Sequence, residues 1–303
     1  PGRSDCSIPN PIVIKRKKQA RKMDNKKDFA KVFMIAGSEP LGCCGIQADI
    51  KAVSACGGFA AGATTLLVDM NTTHVKGIHT IPVDIILNQS RDFLDDVGAD
   101  CIKTGMLYEK QIVEAVAGLL REYPDVPKVI DPVMVDSGGR ALILQESIDA
   151  YRALLFPQAE IITPNIHEAR VLAGETITLD NVDRLIRKIA EAGCSVIIKS
   201  IPDGENLIDV LYNRHNDTIR RFSKRHIDTR NVNGTGDTFG SAIATYIARK
   251  YDLDTAVERA EIFINESIAN GSCYRFGPGY GPVHPFYRTI DFFEKEDRGY
   301  SLK

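Results

Sequence analysis

Asn233, Gly234, Thr235, Gly236, Asp237 and Thr238 stand in a row just ahead of an apolar-periodic stretch over 239–247. Glycines let the backbone pass close to a ligand and take conformations that other residues resist. Successive N–H groups in such a turn, backed by the positive end of the following helix, form an anion site suited to a phosphate. Asp237 puts a carboxylate within reach of a group being phosphorylated, where it could act as a base. A phosphate cradle and a base in one turn point to phosphoryl transfer. The same residues have an ordinary structural use, because Asn-Gly is common turn chemistry and Asp before Thr a common helix start. The rest of the chain has to decide.

Strand-like and helix-like segments alternate along it. The apolar run over 32–36, closed by Gly37, has the pattern of a buried strand, and 46–55 has helical spacing with Ile46, Ile50 and Val53 on one stripe. Further strands are expected at 62–68, 101–103, 129–130, 161–163 and 195–199, with helices at 83–93, 112–120, 182–192, 238–249 and 254–270. Segments 209–212 and 219–222 have the look of an antiparallel pair near a sheet edge. This alternation predicts an α/β fold with a largely parallel sheet covered on both faces. In such sheets ligands bind at the carboxyl ends of the strands. The polar and glycine-rich junctions fall at those ends: Gly37-Ser38-Glu39, Lys103-Thr104-Gly105, Asp131-Pro132, Thr163-Pro164-Asn165 and Asp237. No internal repeat interrupts the pattern, so one domain over about 28–295 is expected, with 296–303 as a tail.

Composition narrows the class. The 303 residues are 44% hydrophobic and 26% charged, as in a globular protein, and no apolar run approaches the roughly 18 residues a membrane span needs. Seven scattered cysteines without a C-x-x-C pair argue against a disulfide framework or zinc knuckle and for a reducing cytoplasm. Residues 1–27 carry nine Lys/Arg against two Asp, a net of +7, which leaves 29 basic against 38 acidic residues in the remainder. That acidic remainder has no basic stripe, so neither nucleic acid nor a membrane surface is the expected partner. Met23, just ahead of the first strand-like run, is the expected natural start, with residues 1–22 a basic leader foreign to the natural chain.

Six strings in order carry a family resemblance: Ile35-Ala36-Gly37-Ser38, Gly45-Ile46-Gln47-Ala48-Asp49, Lys103-Thr104-Gly105-Met106-Leu107, Asp131-Pro132-Val133-Met134, Thr163-Pro164-Asn165 with Glu168-Ala169, and Gly234-Thr235-Gly236. Together they resemble the hydroxymethylpyrimidine/phosphomethylpyrimidine kinases of thiamin biosynthesis, within the ribokinase-like superfamily. The related bacterial pyridoxal kinases share most of the strings. The resemblance implies a three-layer α/β/α sandwich with a mostly parallel central sheet, often a homodimer. It also implies transfer of the γ-phosphate of Mg-ATP to a small heteroaromatic alcohol or its phosphate ester.

Residue by residue, it makes Asp237 the base, with the N–H groups around Gly234 and Gly236 holding the transferring phosphoryl. Asp131 and Glu168 become Mg²⁺ ligands, direct or through water. Asn165, Lys199 and Thr235 fall to the ATP phosphates, and Cys44, Val68, Met70, Met106 and Val133 to the substrate ring. Plainer uses stay open: a turn start for Asp131, a first-turn helix charge for Glu168, a strand-end surface lysine for Lys199, and core for Met70, Met106 and Val133. Gln47 and Asp49 are expected to orient a loop or cap a helix.

Several positions depart from the family pattern. Asp237 stands where the thiamin enzymes usually carry cysteine, Glu39 replaces an aspartate, and Cys43-Cys44 replace Gly-Ala. Ser200 and Ile201 follow Lys199 in place of glycines, and Asn233 replaces a frequent histidine. Met70 replaces the Gln or Glu that would hydrogen-bond an aminopyrimidine, as in many pyridoxal kinases. The stretch Asn71-Thr72 with Val75-Lys76-Gly77-Ile78-His79 is closer to the thiamin pattern. The expected activity is therefore a hydroxymethylpyrimidine or phosphomethylpyrimidine kinase, with a pyridoxal/pyridoxine kinase as the alternative.

Overall fold

The computed structural model describes residues 28–135, 139 and 141–289. The basic arm over 1–27, the proposed start at Met23 and the tail over 296–303 lie outside the described residues. Among the described residues the strands are β1 Lys31–Ser38, β2 Phe59–Met70, β3 Val75–Thr80, β4 Cys101–Thr104, β5 Lys128–Ile130, β6 Ile161–Ile162, β7 Ser195–Asp203, β8 Asn206–Asn213 and β9 Thr218–Arg225. The α-helices are α1 Gly45–Ala55, α2 Val83–Asp96, α3 Lys110–Glu122, α4 Gln145–Ala150, α5 Ile166–Ala173, α6 Val182–Ala190, α7 Thr235–Ala248 and α8 Leu253–Gly271.

The strands form one sheet in the order β3-β2-β1-β4-β5-β6-β7-β8-β9. It is parallel from β2 through β7, and β3, β8 and β9 add antiparallel edges. Side chains alternate across a strand, so each central strand supplies two cores. Val32, Met34 and Ala36 of β1 pack with α1, α7 and α8 on one face. Phe33 and Ile35 face the other way, into the core built with α2 to α6. This is the expected three-layer sandwich.

Three elements escape the sequence pattern. β3 has little apolar alternation and is mostly exposed, so only its pairing with β2 makes it a strand. α5 is too short for a period to register, although its Asn165-x-x-Glu168 capping box is explicit in the sequence. α4 runs on through a π-helical turn over Tyr151–Leu155. One boundary also moves. α7 begins at Thr235 rather than 238, because Gly234 takes a left-handed conformation (φ 76°) and turns the chain into the helix early. A Cβ at 234 would sit 1.7 Å from the Cys43 carbonyl oxygen, so only glycine allows this approach.

Phe33 anchors the second core, buried at mid-strand and stacked on Phe93 at 4.9 Å between ring centroids. Phe33→Ala is expected to lower the unfolding free energy in urea by about 3–5 kcal/mol. Ile262→Ala, on the exposed face of α8, should stay within about 0.5 kcal/mol.

Candidate active site

The parallel ladder sets the site's floor. The Gly105 N–H donates to the Ile35 carbonyl (2.9 Å), Asp131 to Thr104 (3.0 Å), Thr163 to Ile130 (3.1 Å) and Lys199 to Pro164 (3.1 Å). Each bond carries the strand pairing one step past its end, so the junctions predicted from sequence lie side by side along one edge. Thr163 Oγ1 donates to Asp131 Oδ1 at 3.1 Å, and Lys199 Nζ lies 3.6 Å from the same oxygen. The first turn of α7 comes down on this row. A Cβ at Gly236 would lie 3.4 Å from Lys199 Nζ and 3.6 Å from Asp131 Oδ2. The bare backbone of Gly236 therefore faces a lysine and a carboxylate across a gap that a side chain would fill.

Asp237 sits in that same turn, its side chain 17% exposed and 3.8 Å from Lys103 Nζ. Burial pushes its carboxyl above the usual carboxylate range, and the charge of Lys103 opposes that shift. Lys103 itself is fully buried against Asp49 Oδ1 at 2.7 Å, and Ser241 Oγ donates to the same oxygen at 2.8 Å. Burial opposes the charge on Lys103, but Asp49, Asp237 and Asp131 together outweigh it and raise its pKa. Asp49 thus does more than orient a loop, since it holds a buried cation under the turn. Lys103 and Ser241 were missed as candidates. The trace in the sequence is a lone lysine inside the apolar strand Cys101-Ile102-Lys103-Thr104, where an unpaired charge would be prohibitive.

The other predicted residues divide by what their polar atoms touch. Asn165 Oδ1 accepts the His167 and Glu168 N–H groups, both at 2.9 Å, while Glu168 Oε2 accepts from the Asn165 N–H at 2.9 Å. Glu168 Oε1 accepts the Met134 N–H, also at 2.9 Å, tying α5 to the segment after β5. Burial first, then the charge of Asp131, pushes Glu168 up to about 7. Its first observed task is to clamp backbone. The Thr235 hydroxyl donates to the Val232 carbonyl at 2.7 Å and braces the glycine turn.

Beside Asp237 opens a cavity of about 480 Å³ whose walls include all five predicted ring contacts, Cys44, Val68, Met70, Met106 and Val133. Each of the five is only partly buried, whereas the adjacent Leu107 and Met134 are fully buried. Leu66, Ile78 and Tyr108 complete an apolar lining that no polar sequence motif announced. Glu39 holds the loop on the near side. Its carboxylate accepts the N–H groups of Leu41, Cys43 and Cys44, the last at 2.8 Å, and Gln47 Nε2 donates to the Glu39 carbonyl at 2.7 Å. Burial, then the charge of Asp237, raises the Cys44 thiol well above its ordinary range, leaving a neutral wall residue.

The fold is the ribokinase-like sandwich, with its cavity and glycine turn at the carboxyl edge of the sheet. The chain belongs to the phosphomethylpyrimidine kinase family, whose model matches residues 39–284. It is 36% identical over 264 residues to the thiamine biosynthesis bifunctional protein ThiED of Geobacter sulfurreducens, spanning 86% of this chain but about half (53%) of that one. To the hydroxymethylpyrimidine/phosphomethylpyrimidine kinase of Bacillus subtilis it is 34% identical over 260 residues, 84% of this chain and 94% of that one. The solved ADP complex of Bacillus subtilis pyridoxal kinase superposes with a TM-score of 0.79 at 30% identity, covering 87% and 100% of the two chains.

Lys103→Met would leave Asp49 buried without its cation, and the expected loss is about 3–5 kcal/mol in urea titration. A buried carboxylate with a raised folded-state pKa takes up a proton on folding, so its stability contribution grows as pH falls between the folded and unfolded values. The deficit should therefore shrink as pH is lowered toward about 7, the value to which burial pushes Asp49 even beside Lys103, and level off below it. A pH-independent deficit would separate Lys103 from the carboxylates around it.

Proposed function

We propose that this chain transfers the γ-phosphate of ATP to the hydroxymethyl group of hydroxymethylpyrimidine, or to the phosphate of its monoester, in thiamin biosynthesis. The observation that carries this is the apolar cavity ending on Asp237, directly beside a glycine turn that faces Lys199 and Asp131. A flat ring fits soft apolar walls, with few polar groups to set its orientation. Its hydroxyl then lies at Asp237, whose carboxylate takes the proton as the oxygen attacks phosphorus. The bond from phosphorus to the β-phosphate oxygen breaks, and ADP leaves.

Positioning and charge neutralisation do most of the work in such a transfer. The N–H groups from Gly234 to Asp237 receive the equatorial oxygens, an electrostatic contribution that usually dominates. Lys199, Asn165 and Thr235 steady the nucleotide side of the turn. Asp131, with Glu168 acting through water, offers the hard oxygen donors that suit Mg²⁺. Among the described residues no three His, Cys, Asp or Glu side chains cluster closely enough to cage a metal. A cation at Asp131 would draw its remaining ligands from water and phosphates, as Mg²⁺ commonly does, and would neutralise phosphate charge. The free state of Cys43, Cys44, Cys56, Cys101, Cys194 and Cys273 is compatible with cytoplasmic residence. No helix among the described residues is long and apolar enough to cross a membrane. A homodimer belongs to the same proposal, and sedimentation velocity tests it.

An ATP-consumption assay across hydroxymethylpyrimidine, its monophosphate, pyridoxal, pyridoxine and ribose decides the activity; turnover on ribose alone would sink the pyrimidine reading. Asp237→Asn should lower kcat by about 10²–10⁴-fold with little change in ATP binding, the range for a lost general base. Turnover within a few-fold of wild type would remove Asp237 from the mechanism.

One observation favours pyridoxal instead. Met70 presents a thioether to the cavity where a side-chain amide could hydrogen-bond an aminopyrimidine. Met70→Gln should raise kcat/KM for hydroxymethylpyrimidine relative to pyridoxal by about 2- to 13-fold, the worth of one satisfied hydrogen bond. An unchanged ratio with a lowered Tm would take Met70 out of substrate selection.

A further inference from the structure

Strand β7 is broken where it passes the site. Its ladder with β8 pairs Ile198 with Val210 and then Ile201 with Ile208, so Lys199 and Ser200 together oppose the single residue Asp209. Two residues against one make a β-bulge, a device that re-aims a side chain next to a site. Ser200 pays for it with a left-handed backbone, at φ 63°, a region that residues with a Cβ enter only under local constraint. The re-aimed side chain is Lys199. Its N–H stays bonded to Pro164 while its ammonium reaches toward Asp131 and the face of Gly236.

The constraint on Ser200 is visible. Asp209 Oδ1 accepts the Ser200 N–H at 2.7 Å, and Asp209 Oδ2 accepts from Lys224 Nζ at 2.6 Å. Lys224 donates also to Glu261 Oε2 of α8 at 3.1 Å. Asp209 and Glu261 are both buried. A buried charge cluster seldom adds net stability, and some such clusters serve to fix a conformation.

We infer that Asp209, locked by Lys224 and Glu261, is a positioning residue for nucleotide binding. It holds Ser200 in its left-handed conformation and thereby aims Lys199 into the gap between Asp131 and Gly236. The inference rests on the reading of Lys199 as a phosphate-binding lysine, and the test separates the two. Dissociation constants for a non-hydrolysable ATP analogue with Mg²⁺, and KM for ATP with hydroxymethylpyrimidine, are measured on the full chain and its variants. Lys199→Ala reports on the lysine itself, and unchanged nucleotide binding there sinks that reading.

If Lys199→Ala weakens binding, the Asp209 variants decide. Asp209→Ala should weaken nucleotide binding by about 10-fold, the scale of effect expected from a misplaced binding group. Asp209→Asn, whose Oδ1 can still accept the Ser200 N–H but whose NH2 would face the Lys224 ammonium, should lose less than Asp209→Ala. Ser200→Gly alone should bind normally. In the Asp209→Ala background it should recover most of the loss, because glycine takes the left-handed conformation unaided. Unchanged binding in Asp209→Ala alongside a lowered Tm would overturn the inference, and so would failure of the glycine to restore binding. If Asp209→Ala does not fold, Ser200→Val leaves the charged triad intact but puts a β-branched residue at positive φ. Normal nucleotide binding by that variant would overturn the inference equally.

Discussion

The constraint on which the site depends is the in-register parallel ladder from β1 through β4, β5 and β6 to β7. β4, β5 and β6 end level with one another while β1 and β7 run on past them, and backbone hydrogen bonding alone sets Gly105, Asp131, Thr163 and Lys199 in a row. Everything functional is then hung on that row. α7 lowers a glycine turn onto it from one face, and the short α5 is stapled to it from the other by the reciprocal Asn165–Glu168 box. The cavity fills the space between the row and the β2–β3 hairpin.

The charges beneath the row follow from the same geometry. An α7 turn set close to the sheet brings Asp237 into a partly dry environment, where a carboxylate alone would tend to be neutral. Lys103 rises from the strand below and is fixed in place by Asp49 and Ser241, which come from α1 and α7. Three elements thus share one buried cation, and the packing of α1 against α7 is tied to the electrostatics of the turn. The apolar wall meets that network at Cys44, the residue before α1, and at Asp237. The rest of it depends on side-chain alternation along β2 and on the segments after β4 and β5.

Sequence pattern carried the regular elements well, because β1, β4, β5 and β6 are short apolar runs bounded by polar junctions. It missed β3, whose strand character comes from pairing with β2 rather than from its own residues. It placed the start of α7 three residues late, since the helix begins where Gly234 can pass under the Cys43 carbonyl, a contact between segments 191 residues apart. Among site residues, the five cavity-wall residues Cys44, Val68, Met70, Met106 and Val133 were legible only through family resemblance; nothing in Val68 or Met106 taken alone distinguishes a wall from a core. Their partial exposure beside the fully buried Leu107 and Met134 is a property of the assembled cavity.

The sequence by itself determined the α/β alternation, the polar junctions at the strand ends, the glycine turn with its carboxylate, and the family. Those are local facts, written in spacing and residue type, and they survive without knowledge of any contact. Only the tertiary structure decided what each polar atom does. It tied Glu168 to the Met134 N–H, gave Asp49 the cation Lys103, and put Asp209 opposite the bulge at Lys199 and Ser200. These pairings join residues far apart in the chain or on different elements. Their energies come from burial and alignment, neither of which exists until the sheet has closed around them.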